Sequence, residues 1–138
     1  MTVGIQLGNI TDEIGTSDFF HAFFSTISAN LEPDGWGSRF PVIMKRLYSG
    51  EVAGSEAANA ILELATIRSA LAKIHPDKVV WDIEDRSKHA PWGNRISSDI
   101  TNLSSYFVTS TGRDLIGVLD EIFEELNSRG GVARVVTI

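Results

Sequence analysis

Three histidines and one run of acids carry most of the chemistry this sequence can offer. Asp82, Glu84, Asp85 and His89 fall within one short stretch. Carboxylates with an imidazole can hold a divalent cation or work as an acid–base pair. Asp82, Glu84 and His89 are therefore candidates for a small metal-dependent hydrolase site. The competing reading is a solvated strand face followed by a polar loop, and the residue types favour it. His21 stands beside an aromatic stripe, either as a base or as a half-buried side chain on a helix flank. His75 precedes Pro76, where an imidazolium suits the C-terminal end of a helix. No HExxH, GxSxG, P-loop or Rossmann glycine pattern occurs, so neither a catalytic set nor a cofactor-binding motif is visible.

The other concentrated charge is Asp120, Glu121, Glu124 and Glu125. These lie in the C-terminal half of an expected helix, where negative charge opposes the macrodipole. Asp120 with Glu124, and Glu121 with Glu125, are like-charge pairs at four-residue spacing. Each such pair costs about 0.2–0.5 kcal/mol in an isolated helix. Arg129 is the one cation just beyond them in sequence. The plain reading is a solubilising face. The sharper one is an acidic docking surface for a basic partner, extended by Asp12, Glu13, Asp82, Glu84 and Asp85 if the fold makes them neighbours. Trp36 and Trp92, each followed by glycine and close to Arg39 and Arg95, suit interface anchors or packed corners.

Positioning these groups requires a fold, and the periodicities outline one. Val3, Ile5 and Leu7 alternate with small or polar residues, which predicts a strand over 3–10. Thr16 or Ser17 caps a helix near 18–30, with Phe19, Phe20, Phe23, Phe24 and Ile27 on one stripe. A structured loop over 32–41 leads to a short helix near 42–48, stopped at Gly50. Ser55 caps the longest helix, near 56–75, with Ala60, Leu64, Ile67, Leu71 and Ile74 on its stripe and Pro76 at its end. Lys78–Glu84 reads as a strand, 85–105 as a long irregular connection with one helical turn near 97–103, and Tyr106–Thr109 as a short strand. Thr111 to Asp114 starts a helix carrying Leu115, Leu119, Ile122 and Leu126, which ends at Gly130-Gly131. Val132–Ile138 forms a last strand. The order lacks a clean βαβ repeat, which predicts an α+β fold: one small mixed or antiparallel sheet with three to four helices packed on it.

Composition sets the outer bounds. The chain has 138 residues, 18 acids and 12 bases, for a formal charge of −6. One domain spans roughly 100–200 residues, so 1–138 reads as a single domain. At 43% hydrophobic and 22% charged the chain is globular rather than disordered. Without cysteine there is no disulfide framework and no thiolate chemistry. The acidic balance argues against nucleic acid as a partner. No run approaches the roughly 18 apolar residues of a membrane span, and the N-terminus lacks a signal-peptide pattern. The expectation is a cytoplasmic protein that does not bind membranes.

Four blocks taken together resemble one family: Asp34-Gly35-Trp36-Gly37-Ser38-Arg39-Phe40-Pro41, Asp77–Asp85, Pro91-Trp92-Gly93 and Tyr106–Ser110. In order and spacing they are similar to the immunity protein 70 family of bacterial polymorphic toxin systems, along nearly the whole chain. The resemblance implies a non-enzymatic inhibitor, acting stoichiometrically in the cytoplasm, that binds and neutralises a cognate secreted toxin domain. It carries over no catalytic residue, no metal and no cofactor. The candidate toxin-binding residues are Asp82, Glu84, Asp85, Trp92, Asp120, Glu121, Glu124 and Glu125, facing a toxin with a basic surface. The metal-dependent hydrolase built on Asp82, Glu84 and His89 is the rival from another class, and a self-assembling structural module is a third reading.

Overall fold

A computed structural model of the chain describes residues 1–138. An antiparallel hairpin opens it, β1 (Thr2–Leu7) with β2 (Ile10–Thr16). The period of two turns Ile5 and Leu7 to one face, and both are buried. Thr16 then caps α1 (Ser17–Leu31), its Oγ1 accepting from the Phe19 N–H at 3.1 Å. The five aromatic and aliphatic residues of the expected stripe are all buried. After the loop over 32–41, residues Val42–Leu47 wind as a π-helix, where the Tyr48 N–H reaches back to the Ile43 carbonyl. A short strand β3 (Glu51–Ala53) and a 3-10 turn lead to α2 (Ala57–Leu71).

The long connection that follows holds two 3-10 turns, Pro76–Lys78 and Leu103–Ser105. Helix α3 (Leu115–Arg129) and strand β4 (Val132–Thr137) complete the chain. Gly130, at φ 78°, adopts a backbone conformation that suits glycine and lets α3 turn directly into β4. The four strands form one antiparallel sheet in the order β2-β1-β4-β3. Ile5, Ile14, Val52 and Ala133 face the helices and are buried, while Gln6, Thr11, Glu51 and Arg134 face water. One cluster of 33 buried hydrophobic residues joins sheet and helices. The α+β class, with an antiparallel sheet and helices on one face, is as the sequence predicts.

Several local expectations are corrected. Strands β2 and β3 escape the periodicity, because each buries few large side chains and is specified mainly by its partner strand. The strand expected over 78–84 does not form: a 3-10 turn gives way to irregular chain outside the sheet, bent at Trp81 and turning at Ile83-Glu84. The strand expected over 106–109 is reduced to one isolated bridge between Val108 and Asp114. Helix α2 is shorter than 56–75, and Ser55 does not cap it. Instead the Glu56 carboxylate accepts from the Ala53 N–H at 3.0 Å. Helix α3 is capped by Asp114, whose Oδ2 accepts from the Gly117 N–H at 3.1 Å, not by Thr111. The helical turn expected near 97–103 lies at Leu103–Ser105.

Candidate functional site

Two buried or half-buried carboxylates shape the segment between α1 and β3. Glu32, 3% exposed, accepts from the Gly37 N–H at 3.0 Å and from the Arg39 and Phe40 N–H groups at 3.1 Å. A buried carboxylate is tolerable only with its lone pairs satisfied in this way. Glu63 on α2 accepts from Val42 at 3.2 Å and Ile43 at 2.9 Å, occupying the first N–H groups of the π-helix. Burial pushes the Glu63 carboxyl above the usual range, and these two N–H bonds oppose that rise. Between the two anchors Trp36 donates its indole N–H to the Met44 carbonyl at 2.7 Å. The π-helix delivers Tyr48 against Trp36, ring centroids 4.9 Å apart and edge to face. Such widened turns recur where a helix must re-aim a side chain.

The irregular segment after α2 is held by the polar side of α1. Thr26 Oγ1 donates to the Val80 carbonyl at 3.1 Å and accepts from the Val80 N–H at 3.0 Å. Ser25 Oγ accepts from the Ile83 N–H at 3.2 Å, and Asn30 donates to the Lys78 carbonyl at 3.1 Å. These bonds replace the sheet ladder that the alternation of 78–84 suggested. They also bury Trp81 and leave Asp82 beside α1.

There Asp82 meets His21, Oδ1 to Nε2 at 3.3 Å, while His21 Nδ1 lies 3.1 Å from the Tyr48 hydroxyl. A carboxylate can only accept, so the imidazole donates from Nε2, and the tautomer that this fixes can take the Tyr48 O–H at Nδ1. The result is a continuous chain from Tyr48 through His21 to Asp82. The Glu84 N–H also bonds Asp82, at 2.9 Å, and Lys88 lies 3.6 Å from its other oxygen. The backbone N–H of Glu84, then His21 and Lys88, hold the Asp82 carboxyl below the usual range. Tyr48 moves the other way: burial, then the charges of Glu84 and Asp82, raise its phenol. Tyr48 thus keeps its hydroxyl proton at neutral pH.

The predicted site residues divide into two groups. Asp82, Glu84, Asp85 and Trp92 belong to the 76–96 connection. Trp92, 37% exposed, donates to the Tyr106 hydroxyl at 3.0 Å and packs edge to face on Trp81 at 5.4 Å. Asp85 is occupied by its own turn, through the Ser87 hydroxyl and N–H, which lower its pKa. Asp120, Glu121, Glu124 and Glu125 lie on α3, half-exposed or exposed. Arg113 pairs with Glu121 and, at 3.8 Å, with Asp12 of β2, while Arg129 lies 3.8 Å from Glu125. Asp12 therefore joins the α3 surface through Arg113. Glu13 sits one residue on and bonds Ser110. The two acidic groups share no bonded partner.

The metal reading of Asp82, Glu84 and His89 is not supported. Asp82 takes His21 as its imidazole, and no group of three or more histidines and acids is placed to hold a metal ion. His75 does not cap α2, which ends at Leu71. Its Nδ1 instead accepts from the Asp77 N–H, at 3.2 Å. Sequence reasoning missed Tyr48, whose partner His21 is 27 positions away and gives no spacing signal. It also missed Glu32 and Glu63 as anchors. The one usable hint was chemical, since a Ser-Thr pair beside an aromatic helix stripe needs polar partners when buried.

Two clefts flank the Tyr48–His21–Asp82 chain. A groove of about 730 Å³ lies on the Asp82 side, with Arg86 and Lys88 on its lining beside Asp77 and Asp82. A smaller cleft of about 330 Å³ lies on the Tyr48 side, with Phe20, Phe24 and Val135 in its lining and Asp18 beside them. No helix is long and apolar enough to cross a membrane. A family model described as immunity protein 70 matches residues 5–135 of the 138. No curated protein and no solved structure matches the chain.

Proposed function

The chain belongs to the immunity protein 70 family, and on that premise we propose that it neutralises a cognate secreted bacterial toxin domain by binding it. In this reading the whole chain, 1–138, acts as one non-enzymatic immunity domain in the cytoplasm of the cell that makes the toxin. The observation that carries the reading is the family match along residues 5–135. Inhibition needs occlusion or distortion of the toxin's active site, and no chemistry on the immunity protein itself.

Charge decides how the two candidate surfaces divide the work. Around α3, Asp12, Asp120, Glu121, Glu124 and Glu125 face only Arg113 and Arg129. Asp82, Glu84 and Asp85 are nearly balanced by Arg86 and Lys88 in the same segment. The α3 surface is therefore the one that steers a basic toxin, acting over about a Debye length of 8–10 Å. The 82–92 segment offers Trp92 with Asp82, Glu84 and Asp85 as short-range contacts.

Co-expression with the product of the neighbouring upstream gene tests the reading. Rescue of growth with a stable complex is the expected result, and failure of both removes it. Within such a complex, replacing Asp120, Glu121, Glu124 and Glu125 together by lysine should slow association by about tenfold at low salt and much less at high salt. An unchanged rate excludes α3 from the contact. Asp82→Lys with Trp92→Ala tests the other surface, chiefly through dissociation.

A further inference from the structure

The larger groove presents backbone groups that nothing within the chain occupies. Val79, Val80 and Trp81 line it, together with Ile96 and Tyr106. Val80 turns both of its polar backbone groups to α1, where Thr26 Oγ1 bonds its N–H at 3.0 Å and its carbonyl at 3.1 Å. Every peptide bond of the chain is trans, and a planar trans peptide points its N–H and C=O in opposite directions. The Val79 carbonyl and the Trp81 N–H therefore point away from α1, and neither has a hydrogen-bond partner within the chain. Their neighbours are engaged: the Val79 N–H bonds the Pro76 carbonyl at 3.2 Å, and the Ile83 N–H bonds Ser25. One acceptor and one donor, two residues apart on one side of the chain, are what a strand edge offers a second strand. The bend at Trp81 and the turn at Ile83-Glu84 limit the offer to this single pair.

We propose that the partner lays an extended peptide segment in this groove, its backbone donating to the Val79 carbonyl and accepting from the Trp81 N–H, with an acidic side chain beside Arg86 and His89. Backbone pairing of this kind gives affinity, and the side chains around it give the choice of segment. Here the charged lining favours an acid. Asp82 is engaged by His21, the Glu84 N–H and Lys88, and Asp77 lies 3.0 Å from His75. The Arg86 and His89 side chains line the same groove and pair with nothing else in the chain. A glutamate or aspartate of the segment finds uncommitted donors there, whereas a lysine would meet Arg86 unopposed. At about 730 Å³ the groove falls within the roughly 300–1,000 Å³ of sites that enclose drug-sized ligands, and a few residues can fill it. Thr26 then serves binding as well as stability, since by holding one side of these two peptides it aims the other side before the partner arrives.

The partner's identity rests on the toxin-binding reading, whereas the free edge is measurable without a toxin. In the full chain, isotopically labelled for NMR, the Val80 amide should exchange slowly and the Trp81 amide fast. A Trp81 amide already protected in dilute solution overturns the proposal, and so does protection that grows with concentration as a second copy fills the groove. Titration with acetyl-Val-Glu-Val-N-methylamide should give saturable shifts around Val79, Trp81 and Arg86. The same peptide with every backbone nitrogen methylated should bind about fivefold more weakly, as should the peptide carrying lysine for glutamate. Arg86→Gln with His89→Gln, both exposed positions, should erase the preference for glutamate and keep the dependence on backbone N–H groups. Absence of saturable shifts, or equal binding of the methylated peptide, overturns the backbone pairing. Equal binding of the glutamate and lysine peptides overturns the acidic side chain. In the co-expressed complex the Trp81 amide should exchange at least about tenfold more slowly than in the free chain. A stable complex that leaves it fast overturns the groove and leaves the toxin reading standing. A chain that takes the peptide in the groove but no toxin supports the groove and sinks the toxin reading.

Discussion

The two acidic surfaces are built in opposite ways. On α3 the four carboxylates follow one another along a single helix, and their positions need only the helical period and the caps at Asp114 and Gly130. Around Asp82 the surface is assembled from α1, the end of the π-helix and the irregular chain after α2, with 61 positions separating Asp82 from His21. The first surface exists wherever the helix exists. The second exists only while Glu32, Glu63 and Thr26 hold loop backbone in place. A locally coded surface tolerates substitution one residue at a time, whereas an assembled one is lost through residues that never touch a partner.

The strongest way to break that contrast is Glu32→Ala. It removes the acceptor for three backbone N–H groups in a site where the carboxylate is 3% exposed. Each buried donor left unmatched costs about 1–3 kcal/mol, so a loss of about 3 kcal/mol or more is expected on urea unfolding. The near-ultraviolet signal of Trp36 should weaken with it, because the loop that carries Trp36 is the part set free. If Glu32→Ala unfolds no more easily than wild type, the loop is held by its hydrophobic contacts and the carboxylate is incidental.

Thr26→Val is the milder version on the other loop. Valine keeps the shape and the burial but gives up both bonds to Val80. A cost of about 2 kcal/mol is expected. Amide exchange should show where it falls: Val80 and Ile83 lose protection first, and the α3 amides keep theirs. Equal loss over both regions would mean that the two surfaces unfold as one unit, and the contrast would disappear.

The assembled region also places two carboxyls on opposite sides of their ordinary values. Asp82 is lowered, so its contribution to stability is present above the ordinary aspartate range near pH 4 and is lost as pH falls through its depressed value. Glu63 is raised, so its contribution is full below the ordinary glutamate range and fades as pH rises through its elevated value. On acidification followed by carboxyl NMR, Glu63 should protonate first and Asp82 later. The reverse order would mean that burial does not dominate at Glu63, or that the Glu84 N–H and His21 do not hold Asp82.

How much of this was legible depended on the reach of the interactions. The stripes of α1, α2 and α3 and the strand β1 were readable, since burial of one face writes a period into the sequence, and β4 was readable from its β-branched residues. Val79, Trp81 and Ile83 wrote a strand-like period too, yet the backbone of Val80 bonds Thr26 and that of Ile83 bonds Ser25, both on α1. The alternation therefore predicted a strand where the chain bends at Trp81 and turns at Ile83-Glu84, held by side chains of α1 instead of a neighbouring strand. Tyr48 was invisible for a related reason: its position depends on a π-helix, and no residue preference in Val42–Leu47 distinguishes that from an ordinary helix. The α3 acids were legible, but Arg113 was not foreseen as the cation joining them to Asp12.

The smallest expected effect concerns what those acids are for. Glu124 has no cation within ion-pair distance, stands four residues after Asp120, and lies near the C-terminal end of α3. Replacing it with lysine removes one like-charge pair, creates an opposite pair with Asp120, and places a cation where the helix dipole favours it. Together these changes should stabilise the chain by about 0.5–1 kcal/mol, seen as a raised midpoint in urea. In the toxin complex the same Glu124→Lys change should slow association at low salt. A surface position that costs stability and gains association rate is one held for a partner. If Glu124→Lys raises the midpoint and leaves association untouched, the carboxylates of α3 are a solubilising face and docking belongs to the assembled surface alone.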